Sequence, residues 1–220
     1  MSWQGQYAGY LFDLDGTLVD TAPDLNRAQN AALLAHGYTG ADEAETRLWV
    51  GHGARVLLEK AIAAQTRRSP ETSELDAMHQ HFLSHYAANI AHASTPYPEV
   101  VNTLEALATR GAQLAVVTNK PEGLSRRLLE ALELSDRFHL LVGGDSAAQP
   151  KPAADPAAMA CEQLGLSAQE VLFVGDSGAD VGCARAFGCA VVCVSYGYNQ
   201  GIDPSALGAD GVIDSFAALL

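Results

Sequence analysis

Six short apolar runs without polar alternation constrain this chain more than any other feature. They are Tyr10–Phe12, Leu114–Val117, Leu140–Val142, Val171–Val174, Val191–Val194 and, more weakly, Gly211–Ile213. A strand that is apolar on both faces has to be covered on both faces, which is the condition of a parallel sheet. Helical patterns lie between the runs, at Val100–Arg110, Leu124–Leu132, Pro156–Leu164 and Val181–Phe187. Gly111, Gly165 and Gly188 follow three of them, where a left-handed residue closes a helix. Asp155 before Pro156 reads as an N-cap and a first helical residue. The alternation predicts an α/β fold, a parallel sheet with helices on both faces.

One stretch breaks the rhythm. From about Thr21 to His92 the pattern is helical only, starting at Thr21 and Pro23 and closing at the stiff joint Pro96-Tyr97-Pro98. The expected organisation is a core of residues 1–20 and 93–220 with an all-helical cap of residues 21–92. An insert placed there lies over the C-terminal ends of the strands, where open parallel sheets bind ligands.

Composition removes several function classes. With 48% hydrophobic and 18% charged residues in 220, the chain is not disordered and can bury a core without staples. No apolar run reaches membrane-span length, and Met1–Tyr10 carries no basic cluster ahead of an apolar stretch, so a cytoplasmic protein is expected. Thirteen basic against 26 acidic residues give −13, which repels nucleic acid and anionic lipid. An anionic substrate therefore needs a local cation, lysine or backbone amides. Cys161, Cys183, Cys189 and Cys193 form no CxxC pair and read as small core residues.

The chemistry concentrates at the strand ends. Asp13-Leu14-Asp15-Gly16-Thr17-Leu18 follows the first apolar run directly. Residues two apart in extended chain project to one side, so both carboxylates face one pocket. Two adjacent acids suit an oxygen-coordinated Mg²⁺ and a division of labour between a nucleophile and a proton carrier. Thr118-Asn119 ends the next run and offers a hydroxyl and amides to a phosphoryl oxygen, or makes an ordinary turn. Lys151 is surface charge or the neutraliser of carboxylates and phosphate. In Gly175-Asp176-Ser177-Gly178-Ala179-Asp180, Asp176 sits at a strand tip as a metal ligand and Asp180 at a helix start as a cap.

The ordered set DxDGT, Thr, Lys and GDxxxD resembles the haloacid dehalogenase-like superfamily in its phosphatase branch. That resemblance implies a Rossmann-like core, Asp13 as nucleophile forming an aspartyl-phosphate, and Asp15 as general acid and then base. It implies Thr118 and Lys151 as phosphoryl binders, and Mg²⁺ held by the Asp13 side chain, the Asp15 carbonyl and Asp176, with Asp180 in support. Asp15 also excludes the namesake dehalogenation, whose enzymes lack a second acid there. The stretches Val19–Leu25, Trp49–Ala61, Tyr97–Leu107, Gly143–Asp145 and Val194–Asn199 are similar to bacterial phosphoglycolate phosphatases. The chain departs from their pattern at Glu99 (usually Gly), His52 (usually Asn) and Ala154 (usually Pro).

The expected activity is Mg²⁺-dependent hydrolysis of a small phosphorylated metabolite, 2-phosphoglycolate first. Other small phosphates (sugar or amino-sugar phosphate, pyrophosphate) and a phosphosugar mutase of the superfamily remain alternatives. A phosphoacceptor receiver domain uses similar residue types, but its acids lie on different strands and it needs no cap. His52 in the Gly51–Gly53 loop and Arg55 are the cap's candidates for reading the leaving group, although Arg55 also fits an outward helix face. His81, His85 and His92 are spaced like one helical face and read as solvated or partly packed. Trp49 reads as cap core.

Overall fold

The computed structural model describes residues 3–66 and 70–220. The first strand, β1 (Gly9–Phe12), is buried throughout and lies at the centre of the sheet. The chain then passes through β2 (Val19–Asp20) into four helices: α1 (Ala22–Ala35), α2 (Glu43–Trp49), α3 (Ala54–Thr66) and α4 (Thr72–Ala88). It returns through β3 (Thr95–Pro96), which pairs antiparallel with β2, so the helical segment leaves and re-enters through one two-stranded ribbon. Strands and helices then alternate: α5 (Val100–Thr109), β4 (Gln113–Val117), α6 (Glu122–Ala131), β5 (Leu140–Val142), α7 (Asp155–Leu164), β6 (Val171–Gly175), α8 (Gly178–Phe187), β7 (Ala190–Val194) and β8 (Gly211–Ile213).

All six runs read as strands pair in parallel, in the order β5-β4-β1-β6-β7-β8. The chain builds outward from β1 to β5, then crosses back and builds to β8. That reversal opens a crevice at the C-terminal ends of the strands, where ligands of such sheets bind. Period-two alternation divides the core. Tyr10 and Phe12 face α5, α6 and the C-terminal Phe216–Leu219 turn, while Leu11 faces α7 and α8. The four helices between β2 and β3 hold a third cluster, in which Leu33, Leu58, Ile62, Met78 and Phe82 are buried and Trp49 is packed against them.

Helix ends differ from the expectation where polar residues extend them. α6 begins at Glu122 after Pro121, and α8 at Gly178 after the Ser177–Asp180 capping box. Asp155 is not the cap. Ala154 already has helical dihedrals (φ −70°, ψ −21°), so Asp155 falls inside the first turn, where its charge complements the helix dipole. His92 is not on the face of His81 and His85, because α4 ends at Ala88 with Asn89 as its cap. Gly111, Gly165 and Gly188 all take positive φ at helix ends, as read from the sequence. The four cysteines are buried and unpaired. Among the described residues no helix is long and apolar enough to cross a membrane.

Candidate active site

Past Phe12 the chain bends across the C-terminal edge of the sheet. Asp13 donates its N–H to the Val174 carbonyl of β6 at 2.9 Å, which fixes it between two strand tips. The turn depends on Gly16, whose φ is +88°; a Cβ there would run into the Asp176 carboxylate and the Tyr198 ring. Leu14 lies in the core while Asp13 and Asp15 face the crevice, both lining a cavity of about 250 Å³.

Each acid has its own lysine. Lys151 Nζ lies 2.8 Å from Asp13 Oδ1 and donates to Asp180 Oδ1 at 2.6 Å and to the Val117 carbonyl at 2.8 Å. The Asp13 contact lacks hydrogen-bond alignment, so that buried oxygen has a cation beside it but no hydrogen bond. Lys120 Nζ donates to both oxygens of Asp15, at 3.0 and 3.2 Å. Burial opposes both ammonium charges, but the carboxylates outweigh it and hold Lys151 and Lys120 above the usual lysine range.

The β6 tip supplies the third acid. Asp176 accepts from the Tyr198 N–H at 2.6 Å through Oδ2. Asp180 does not touch the cavity. Its Oδ2 accepts from Ser177 Oγ and from the N–H groups of Ser177 and Asp176, at 2.6, 3.0 and 3.2 Å, so it braces both the loop and Lys151. Thr118 ends β4 with its N–H on the Val142 carbonyl, its Oγ1 accepting from the Lys120 N–H at 3.2 Å. Asn119 donates to the Lys151 carbonyl at 3.0 Å, which ties the two phosphate-binding candidates together. The Gly143-Gly144-Asp145 turn braces this loop, since Gly144 N–H reaches the Lys120 carbonyl and Asp145 Oδ1 accepts from Glu122 N–H.

Oxygens of Asp13, Asp176 and Asp180 lie within 4.8 Å of one another, the one such group of possible metal ligands among the described residues. Three buried carboxylates share one ammonium there, an excess of negative charge that costs several kcal/mol unless a cation joins it. Burial, aided by Asp180 and Asp15 and opposed by Lys151, pushes Asp13 up to about 6. Burial, with Asp180 and Asp13, pushes Asp176 well above the usual carboxylate range. An all-oxygen, anion-rich and partly unsatisfied set of this kind fits Mg²⁺. The Asp15 carboxylate stands outside the group, turned to Lys120.

The cavity extends from these acids to α1, α3 and α4. Arg55 lines it, with its guanidinium on Asp76. His52 does not line it; its ring lies 3.2 Å from Gln200 Oε1, and Gln200 also donates to the Val50 carbonyl.

The fold is shared with known proteins. The sequence model of the haloacid dehalogenase-like hydrolases matches residues 10–194. The chain belongs to that family. It is 40% identical over 212 residues to a phosphoglycolate phosphatase of Pectobacterium atrosepticum, covering 96% of this chain and 90% of the relative. A phosphoglycolate phosphatase of Rhodospirillum rubrum is 43% identical over 213 residues, 95% of this chain and 88% of the relative. A crystal structure from Haemophilus somnus 129PT, described as a predicted phosphoglycolate phosphatase, superimposes with a TM-score of 0.92 at 37% identity, covering 98% and 97% of the two chains. CbbY from Rhodobacter sphaeroides, solved in complex with phosphate, shares the fold with a TM-score of 0.81 at 23% identity, covering 97% and 96%.

Lys120 and Tyr198 line the same cavity and were not singled out from the sequence. Lys120 follows Thr118-Asn119 at a strand tip, a position that already pointed into the crevice. Tyr198 stood inside a stretch noted only for its similarity to relatives.

Proposed function

We propose that this hydrolase is a Mg²⁺-dependent phosphatase that converts 2-phosphoglycolate to glycolate and phosphate through an aspartyl-phosphate on Asp13. The observation that carries the reading is the separate housing of the two acids: Asp13 beside Lys151 at the carboxylate cluster, Asp15 two residues on and held by Lys120. The substrate follows from relatives named for it at 40–43% identity over nearly the whole chain.

In the proposed reaction an Asp13 oxygen attacks phosphorus, the ester P–O bond breaks, and Asp15 gives its proton to the leaving alkoxide. Glycolate then leaves. Asp15 takes a proton from water, the water oxygen attacks phosphorus, and the bond to Asp13 breaks to release phosphate. Lys151, Thr118 and the Asn119 loop hold the phosphoryl oxygens throughout. The Asp13 and Asp176 side chains and the Asp15 carbonyl are the proposed Mg²⁺ ligands, with Asp180 behind them; the bound ion withdraws charge from the phosphoryl group.

Residues 21–92 act in this reading as a cap domain that screens the leaving group from water and presents the Gly51–Gly53 turn to it. His52 contributes only by fixing that turn against Gln200. The proposed compartment is the cytoplasm, supported by four buried cysteines that form no disulfide. A phosphate-release screen over 2-phosphoglycolate, sugar phosphates and pyrophosphate tests the assignment. It predicts the highest kcat/KM for 2-phosphoglycolate, and a better substrate elsewhere in the panel refutes it.

A further inference from the structure

α4 turns His79, Phe82, Leu83 and Tyr86 to the cavity, the i, i+3, i+4, i+7 spacing of one helix face. Its two ends differ in chemistry. At the catalytic end the Tyr86 ring lies over Lys120 Nζ, 4.5 Å from its centroid, and Lys120 in turn holds Asp15. The Tyr86 hydroxyl is buried and has no hydrogen-bond partner. At the far end His79 stands three residues beyond Asp76, the partner of Arg55, and both His79 and Arg55 line the cavity. Seven residues at about 1.5 Å each put these ends about 10 Å apart along the helix. Leu57, Phe82, Leu83 and Leu124 wall the space between them.

The lining lysines are committed: Lys151 to Asp13 and Asp180, Lys120 to Asp15. Among the described lining residues, the groups left to meet a second anion are the Arg55 guanidinium and the His79 ring, which burial and Arg55 hold toward its neutral form and which still donates a hydrogen bond there. The Arg55–Asp76 pair is 41% and 57% exposed, and a pair so open to water yields easily to a ligand. Against that separation of about 10 Å, a two-carbon acid joined to a phosphoryl group at Asp13 would reach the Tyr86 end alone.

We propose that Arg55 and His79 form a distal anion subsite, and that the enzyme also hydrolyses phosphomonoesters whose leaving group is an extended apolar chain ending in a carboxylate. The proposal rests on the phosphatase reading above and assigns Arg55 to an anion remote from the phosphate. The test compares ω-phosphonooxyhexanoate with n-hexyl phosphate, which differ by the terminal carboxylate. The wild type should favour the carboxylate ester by tenfold or more in kcat/KM, and Arg55→Met and His79→Leu should bring the ratio toward one. A ratio near one in the wild type overturns the subsite, as does a large ratio that both variants keep. Calorimetric binding of the same two esters to Asp13→Asn reads the subsite without turnover: tenfold tighter binding of the carboxylate ester is expected, and equal affinities overturn it. If the wild type hydrolyses neither ester, nor 2-phosphoglycolate or p-nitrophenyl phosphate, while Asp13→Asn still discriminates, the phosphatase reading fails and the subsite stands.

Discussion

Tyr198 joins the carboxylate cluster to the ribbon through which the helical segment is attached, and its removal has a calculable cost. Its hydroxyl accepts from the N–H groups of Thr21 and Ala22 at 2.7 and 2.8 Å and donates to Asp20 Oδ1 at 3.0 Å. Asp20 is also gripped by Arg47, at 2.9 and 2.8 Å, so the ribbon, α1 and α2 meet at one phenol. Tyr198→Phe keeps the ring and the backbone N–H on Asp176 but leaves two N–H donors without a partner. Thr21 and Ala22 are both 0% exposed, so water cannot replace the hydroxyl without local opening. An orphaned buried donor costs about 1–3 kcal/mol, which for two donors, partly relaxed, gives a loss of about 3 kcal/mol. In a chain of this length that lowers Tm by about 6–12 °C. Differential scanning calorimetry of the wild type and Tyr198→Phe measures it, and kcat should change by less than tenfold because the Asp176 contact is kept. A Tm shift under about 2 °C contradicts the claim that this phenol anchors the segment.

Activity should disappear in excess chelator and return with Mg²⁺, while Ca²⁺, which takes more ligands at longer distances, should inhibit; full turnover after exhaustive chelation removes the metal assignment. In the metal-free protein Asp13 is pushed from its ordinary 3.8 up to about 6, so the folded state holds the proton more tightly. That contribution is complete below the unfolded value and is lost as pH rises through about 6, which makes the Mg²⁺-induced rise in Tm larger near neutral pH than near pH 5; equal shifts would count against it. Lys120→Met should lower kcat by about 100-fold, a loss of ~2.7 kcal/mol, because Asp15 loses the charged partner that fixes both its oxygens. Steady-state kinetics on that variant and on Lys120→Arg decide it, and wild-type turnover in Lys120→Met refutes the positioning role.

Strand positions were legible because each buried strand is a compact apolar run, and Leu140–Val142 and Gly211–Ile213 coincide with the observed strands. The acids were legible because they are local: Asp13 and Asp15 share one turn, and Asp176 and Asp180 one strand-to-helix junction. What stayed hidden is long-range pairing. Lys120 and Asp15 are 105 residues apart, and nothing in the spacing of either says they meet. Tyr198 reaches Asp20 across 178 residues for the same reason. His52 was read as facing ligand because it sits between two glycines, whereas its ring turns to Gln200, which lines the cavity while His52 does not. Asp155 misled because a proline one residue later marks a helix start without saying which residue is the boundary.

The central claim is that Asp13 is phosphorylated during turnover. Rapid quench in acid of the enzyme with labelled substrate and Mg²⁺, followed by borohydride reduction and peptide mass spectrometry, reads it directly. A transient acyl-phosphate confined to the peptide containing Asp13, and absent in Asp13→Asn, is the expected result. Label that never appears at Asp13 under any quench time, while phosphate is released at the full rate, contradicts it.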